Sequence, residues 1–132
     1  MGQGYLLDTN SVICFLEGTL TKSGKKFIPE NLKQGALISI ITKIELLVWN
    51  PPAGSKTENL KLLINNAQIY PLDEQVADKT VLLRKTYRKL KLPDAIIAAT
   101  ALCYGFHLVT RNRSDFRPFK NCKQLTLLKY NV

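Results

Sequence analysis

Short apolar runs alternate with longer segments of helical spacing along this chain, and few folds accommodate that order. The runs are GYLL at 4–7, ALISII at 36–41, QIYPL at 68–72, FHLVT at 106–110 and QLTLL at 124–128. Their length and β-branched content predict strands. Between them, 11–18 predicts a helix closed by Gly18, and 43–49 a helix stopped by Pro51 and Pro52, which cannot continue it. Leu60, Leu62, Leu63 and Ile64 mark a further helix, and 74–90 another. Pro93 opens a helix, DAIIAATALCY, that is apolar nearly all round and ends at Gly105, so it belongs in the interior. The basic, polar stretch 19–34, broken by Gly24 and Pro29, predicts a short helix and a loop. Strands alternating with helices build βαβ units: an α/β fold with a mainly parallel sheet of about five strands, covered by helices on both faces. The 132 residues fit one domain, 1–132, with no repeat and no dividing linker.

In such sheets, ligands bind beyond the carboxyl ends of the strands. Asp8 follows the first strand directly. Glu45 is expected just after the second strand, in the first turn of its helix. Asp94 opens the buried helix, and Asp115 lies past the fourth strand, after Thr110, Arg111 and Asn112. The chain has only ten acids, and four of them fall at this one edge. Each has a simpler role open to it. Asp8 or Asn10 would cap a helix, Thr42 and Glu45 have capping-box spacing, Asp94 suits a helix N-terminus, and Asp115 suits a turn. Together these roles explain less, because clustered carboxylates repel one another unless a cation is present. Hard carboxylate oxygens suit Mg²⁺ or Mn²⁺, which keep several waters and bind substrate phosphates.

Charge points the same way. Nineteen Lys and Arg against ten acids give a net charge of +9, which favours polyanionic partners, with a merely solvated basic surface as the alternative. Arg84, Lys85, Arg88, Lys89 and Lys91 cluster before Asp94, and Arg111, Arg113, Arg117, Lys120 and Lys123 surround Asp115. Lys89, Lys91, Arg111 and Arg113 are candidate nucleic-acid contacts. Cys14, Cys103 and Cys122 are widely spaced, so neither a disulfide framework nor a zinc site is suggested, and reduced thiols in a cytoplasmic protein are expected. No apolar run approaches the ~18–20 residues of a membrane span, and Met1–Tyr5 lacks the pattern of a secretory signal. The single histidine, His107, rules out a two-histidine mechanism, and its place within a strand pattern suggests a structural role.

Four stretches resemble the PIN-domain ribonucleases, and most of all the VapC-type toxins of bacterial toxin–antitoxin pairs. They are LLDTNSVICFL (6–16), SIITKIELL (39–47), KLPDAIIAATAL (91–102) and LVTRNRSDF (108–116), in that order. The resemblance implies a three-layer α/β/α sandwich and an acidic, Mg²⁺-dependent ribonuclease site. It implies catalytic and metal-binding roles for Asp8, Glu45, Asp94 and Asp115, with Asp115 at the most variable of the four positions. Thr9, Asn10, Thr110 and Asn112 match polar positions that orient the acids or water. An RNA substrate, a masking antitoxin and a homodimer are implied as partners, the apolar segments Val12–Leu16 and Leu46–Trp49 being candidates for such interfaces. The segment 19–34, with Lys22, Lys25, Lys26 and Lys33, departs from the family pattern.

Two rival readings remain. Haloacid-dehalogenase-type phosphatases also place an Asp after the first strand, within D-x-D, but the +2 residue here is Asn10, so their general acid is missing. A non-catalytic module binding nucleic acid or protein is the other, and the presence of all four acids opposes it.

Overall fold

The computed structural model describes residues 4–33, 35–49, 54–110 and 127–128. Its strands are β1 (Tyr5–Leu7), β2 (Leu37–Ser39), β3 (Gln68–Tyr70), β4 (His107–Val109) and β5 (Leu127–Leu128). Its helices are α1 (Thr9–Glu17), α2 (Lys22–Leu32), α3 (Ile40–Trp49), α4 (Ser55–Asn66), α5 (Glu74–Thr86) and α6 (Leu92–Tyr104). The strands form one parallel sheet in the order β3-β2-β1-β4-β5. The α/β expectation therefore holds, strand for strand.

Side chains of successive strand residues point to opposite faces, and the core divides accordingly. Leu6 and Leu108 are paired neighbours and both enter the core beneath α5 and α6. Leu7 and Val109, the next pair, enter the core beneath α1, α2, α3 and α4. Two cores on two faces of one sheet make the three-layer α/β/α sandwich. Helix α6 is its tightest part: Ala95 to Ala101 are buried without a break, as an all-round apolar helix requires. Alanine at 95, 98, 99 and 101 lets α6 approach both the sheet and α5 closely. At the opposite end of the molecule from α6's start, Tyr70, Tyr104 and Phe106 pack ring against ring, with centroids 4.7 to 6.1 Å apart.

Three boundaries depart from expectation. The ALISII run ends as a strand at Ser39, because the Ser39 hydroxyl accepts the Ile41 N–H at 3.2 Å and starts α3 early. Pro29 lies inside α2 rather than ending it. The helix there buries Ile28 completely, and the Asn31 side chain donates to the Phe27 carbonyl at 2.8 Å beside the missing proline N–H. The 74–90 helix stops at Thr86, and residues 87–91 turn over the buried Leu90 to begin α6. Among the described residues, no helix is long and apolar enough to cross a membrane.

Candidate active site

The sheet order reverses direction between β1 and β4: β2 and β3 were added on one side of β1, β4 and β5 on the other. Such a switch point leaves a crevice at the carboxyl ends of the two strands. Asp8 leaves β1 there and Thr110 leaves β4. The Asp8 backbone N–H still donates to Val109 at 3.1 Å, so the ladder holds both residues in place.

Asp8 is 4% exposed, and a buried carboxylate needs partners. Its Oδ1 accepts the Ser11 backbone N–H at 2.8 Å, which caps α1. Its Oδ2 accepts the Thr110 hydroxyl at 2.5 Å. The capping role open to Asp8 is therefore real, but it uses one oxygen, while the other bonds Thr110 at the end of β4. Asn10 is inside α1, where its Oδ1 faces the Cys14 thiol at 3.9 Å. Ser11 itself is fully buried, with its hydroxyl 3.4 Å from the Val109 carbonyl.

Glu45 is placed differently from the expectation. It lies in the second turn of α3, not the first, because α3 begins at Ile40. Thr42 is a buried residue within the helix, so Thr42 and Glu45 form no capping box. They form a surface one turn long that meets α1 instead. Thr9 Oγ1 lies 2.6 Å from Glu45 Oε1 and 3.1 Å from Thr42 Oγ1. One hydroxyl carries one proton. The charged oxygen is the stronger acceptor, so Thr9 donates to Glu45. Asp8 and Glu45 are thus each fixed through a threonine, and Thr9 follows Asp8 in the chain.

Asp94 is half-buried in the first turn of α6, after Pro93. Because α6 leads back into β4, its N-terminus is at the edge where the strands end. Asp115, Asn112, Arg111 and Arg113 lie outside the described residues. Among the described residues, no three His, Cys, Asp or Glu side chains gather closely enough to form a metal cage. Mg²⁺ takes one or two carboxylates and completes its shell with water and substrate phosphate, so the hard oxygens of Asp8, Glu45 and Asp94 fit it in kind.

Other candidates fall elsewhere. His107 begins β4, at the far end from Asp8, with its ring 5.5 Å from that of Tyr5. Its buried Nδ1 has no hydrogen-bond partner among the described residues. Cys14 is buried and Cys103 half-buried, and neither forms a disulfide among the described residues. Burial pushes the Cys103 thiol up, and a hydrogen bond to Asp73 pushes the Tyr104 phenol up, both at the end of α6 away from Asp94. Val12, Leu16 and Leu46 are core residues and Trp49 packs half-buried on the same core. The exposed apolar side chains of α3 are Ile44, Leu47 and Val48. Sequence reasoning passed over Ser11 and Thr42. The D-x-x-S spacing of an N-cap signalled the first, and the T-x-x-E spacing signalled the second in the wrong role.

The family profile of the PIN domain matches residues 5–120. The chain belongs to the PIN-domain family. Solved PIN-type structures agree with this one over nearly their full length. A toxin–antitoxin complex from Klebsiella pneumoniae contains a chain 31% identical, with a TM-score of 0.73, covering 98% of this chain and 100% of that one. DNA-bound VapBC from Salmonella typhimurium gives 25% identity and a TM-score of 0.70, covering 96% and 97%. VapBC2 from Rickettsia felis, bound to a promoter DNA fragment, gives 21% and 0.72, covering 93% and 96%. No curated protein sequence matches the chain significantly. At this crevice, hydrogen bonds join the described residues of three of the sequence motifs: Thr9 meets Thr42 and Glu45, and Asp8 meets Thr110.

Proposed function

We propose that this PIN domain is a Mg²⁺-dependent ribonuclease, the VapC-type toxin of a toxin–antitoxin pair. The observation that carries the reading is the pair of hydroxyl-held carboxylates, Thr110 on Asp8 and Thr9 on Glu45, at the switch point of the sheet. Asp8 and Asp94, with Glu45 and Asp115 completing the set, would hold the ion. When bound, Mg²⁺ or Mn²⁺ lowers the pKa of water and offsets charge on the scissile phosphate. Ser11 and Thr110 keep the Asp8 oxygens from turning. Thr9 engages one oxygen of Glu45 and leaves the other to orient the water that would attack phosphorus in line, the P–O bond to the leaving ribose oxygen breaking as the new P–O bond forms. Asn10 and Asn112 are the positions that orient the acids or the water, and Arg111, Arg113, Lys89 and Lys91, near the acids in sequence, contact the RNA strand.

The Klebsiella likeness supports a protein antitoxin as partner. A cavity of about 360 Å³ between α1, α2 and α4, lined by Phe15, Leu32, Leu62 and Leu63 among others, offers apolar surface to such a segment. The exposed Ile44, Leu47 and Val48, at the i, i+3, i+4 spacing of one helix face, support a homodimer through α3.

Incubating mixed RNA with the protein and Mg²⁺ or Mn²⁺ tests the reading. EDTA and Asp94→Asn should each abolish cleavage. Cleavage that survives both would remove the metal-carboxylate assignment. Metal binding without RNA cleavage would favour the binding-module alternative.

A further inference from the structure

A groove of about 470 Å³ opens beside the start of α6, lined among the described residues by Thr80, Val81, Arg84, Lys85, Arg88 and Leu92. Its size is that of clefts which hold small ligands, about 300–1,000 Å³. Positions 81, 84, 85 and 88 recur at helical spacing, so α5 and the turn after it present them together. The lining divides chemically. It has three cations and no carboxylate, and two aliphatic side chains, Val81 and Leu92, that are half exposed. Arg84 is already positioned: its Nε donates to the Leu90 carbonyl at 3.2 Å, across the turn. Four of its five N–H donors remain for a ligand. Lys89 and Lys91 are exposed on the same turn. Leu92 and Asp94 both lie in the first turn of α6, which puts the groove within one helical turn of Asp94.

We propose that this groove is a docking track for single-stranded RNA continuing from the cleavage position, an inference that rests on the nuclease reading above. Phosphates lie against Arg84, Lys85 and Arg88, and a base or ribose face lies against Val81 and Leu92. A single strand is required because only unpaired bases can turn a face to an aliphatic wall. A second copy of this chain fits the groove poorly. A two-fold contact there would set three cations against the same three, and like charges across an interface oppose docking. Contacts of this kind give affinity and salt dependence with little sequence preference.

Fluorescence anisotropy tests the track, using labelled oligouridylate of about 12 nucleotides and Asp94→Asn protein so that the strand stays intact. K85A/R88A is compared with K33A/K61A, which removes two cations from α4 and the end of α2. The groove variant should weaken binding on the order of tenfold, and its salt slope should become shallower by about 1.4, from ~0.7 for each lost phosphate contact. The control should match its parent. Equal weakening in both variants overturns the track, as does failure of the parent to bind the strand. A change of oligomeric state in K85A/R88A, seen by sedimentation, overturns it in favour of a second copy. The nuclease reading is judged separately by cleavage with the wild-type protein. Absent cleavage, with strand binding still lost in K85A/R88A, removes that reading and leaves the track standing.

Discussion

One Asp8 oxygen caps α1 and the other accepts from Thr110, and substitution separates the cap from the catalytic role proposed for this carboxylate. Asparagine is as good an N-cap as aspartate, and the Thr110 hydroxyl can turn to accept from its amide. Asp8→Asn should therefore unfold in urea within about 1 kcal/mol of wild type while RNA cleavage is lost. Asp8→Ala should lose cleavage and also stability, by about 1–3 kcal/mol, since it removes a cap and strands a buried hydroxyl. If Asp8→Asn cleaves at the wild-type rate, Asp8 is only a cap. The threonines give the complementary case. Thr9→Val and Thr110→Val leave every carboxylate in place but let it turn, and should reduce cleavage about 10–100-fold, the usual scale for residues that orient ligands. Equal rates in single-turnover assays would show that orientation is not their role. At this scale Asp8 was legible because it directly follows an apolar run, and Asp94 because it opens one. Which hydroxyl holds which acid was not legible, because Thr9 is 36 residues from Glu45 and Thr110 is 102 residues from Asp8. No local pattern records a contact across that span.

Helix and strand identity followed from periodicity, and the misplaced boundaries came from single side chains. Ile40 and Ile41 favour a strand by propensity, yet one hydroxyl at Ser39 turned them into the first turn of α3. That shift is why Glu45 lies a turn deeper than its spacing suggested. Pro29 argued for a break, and the burial of Ile28 outweighed it. The turn into β2 is less forgiving. Gly35 has φ +90, and a Cβ there would come 2.5 Å from the Asn66 carbonyl oxygen. Gly35→Ala should cost about 1–3 kcal/mol in urea unfolding, from backbone strain alone and before the clash with α4 is relieved. A neutral result would mean that the junction of α4 with β2 is loose, contrary to the Gln68 N–H donating to Ala36 at 2.7 Å.

For the whole molecule, the alternation of runs gave a parallel sheet but not its order. Nothing local in the chain says that β4 pairs with β1 rather than with β3. That order came from the structure, and it is the order that makes the crevice. The outer faces were legible only in part, because an apolar residue on a helix reads alike whether it packs inward, as Leu46 does, or outward, as Val48 does at 78% exposure. If α3 joins two copies, Val48→Asp should shift sedimentation equilibrium from dimer to monomer while leaving the fold's circular dichroism unchanged. An unchanged mass would move the dimer contact elsewhere or remove it.

The bond between Asp8 and Thr110 joins residues 102 positions apart. A ribosome makes the chain in order, from Asp8 onward, at about 5–20 residues each second. Through most of that time the nascent chain holds its first acid and lacks the strand that must lie beside it. If the domain is the nuclease proposed above, it is harmless to the machine that is building it until nearly all of the domain has emerged, and the sheet order itself then delays activity until synthesis is almost done.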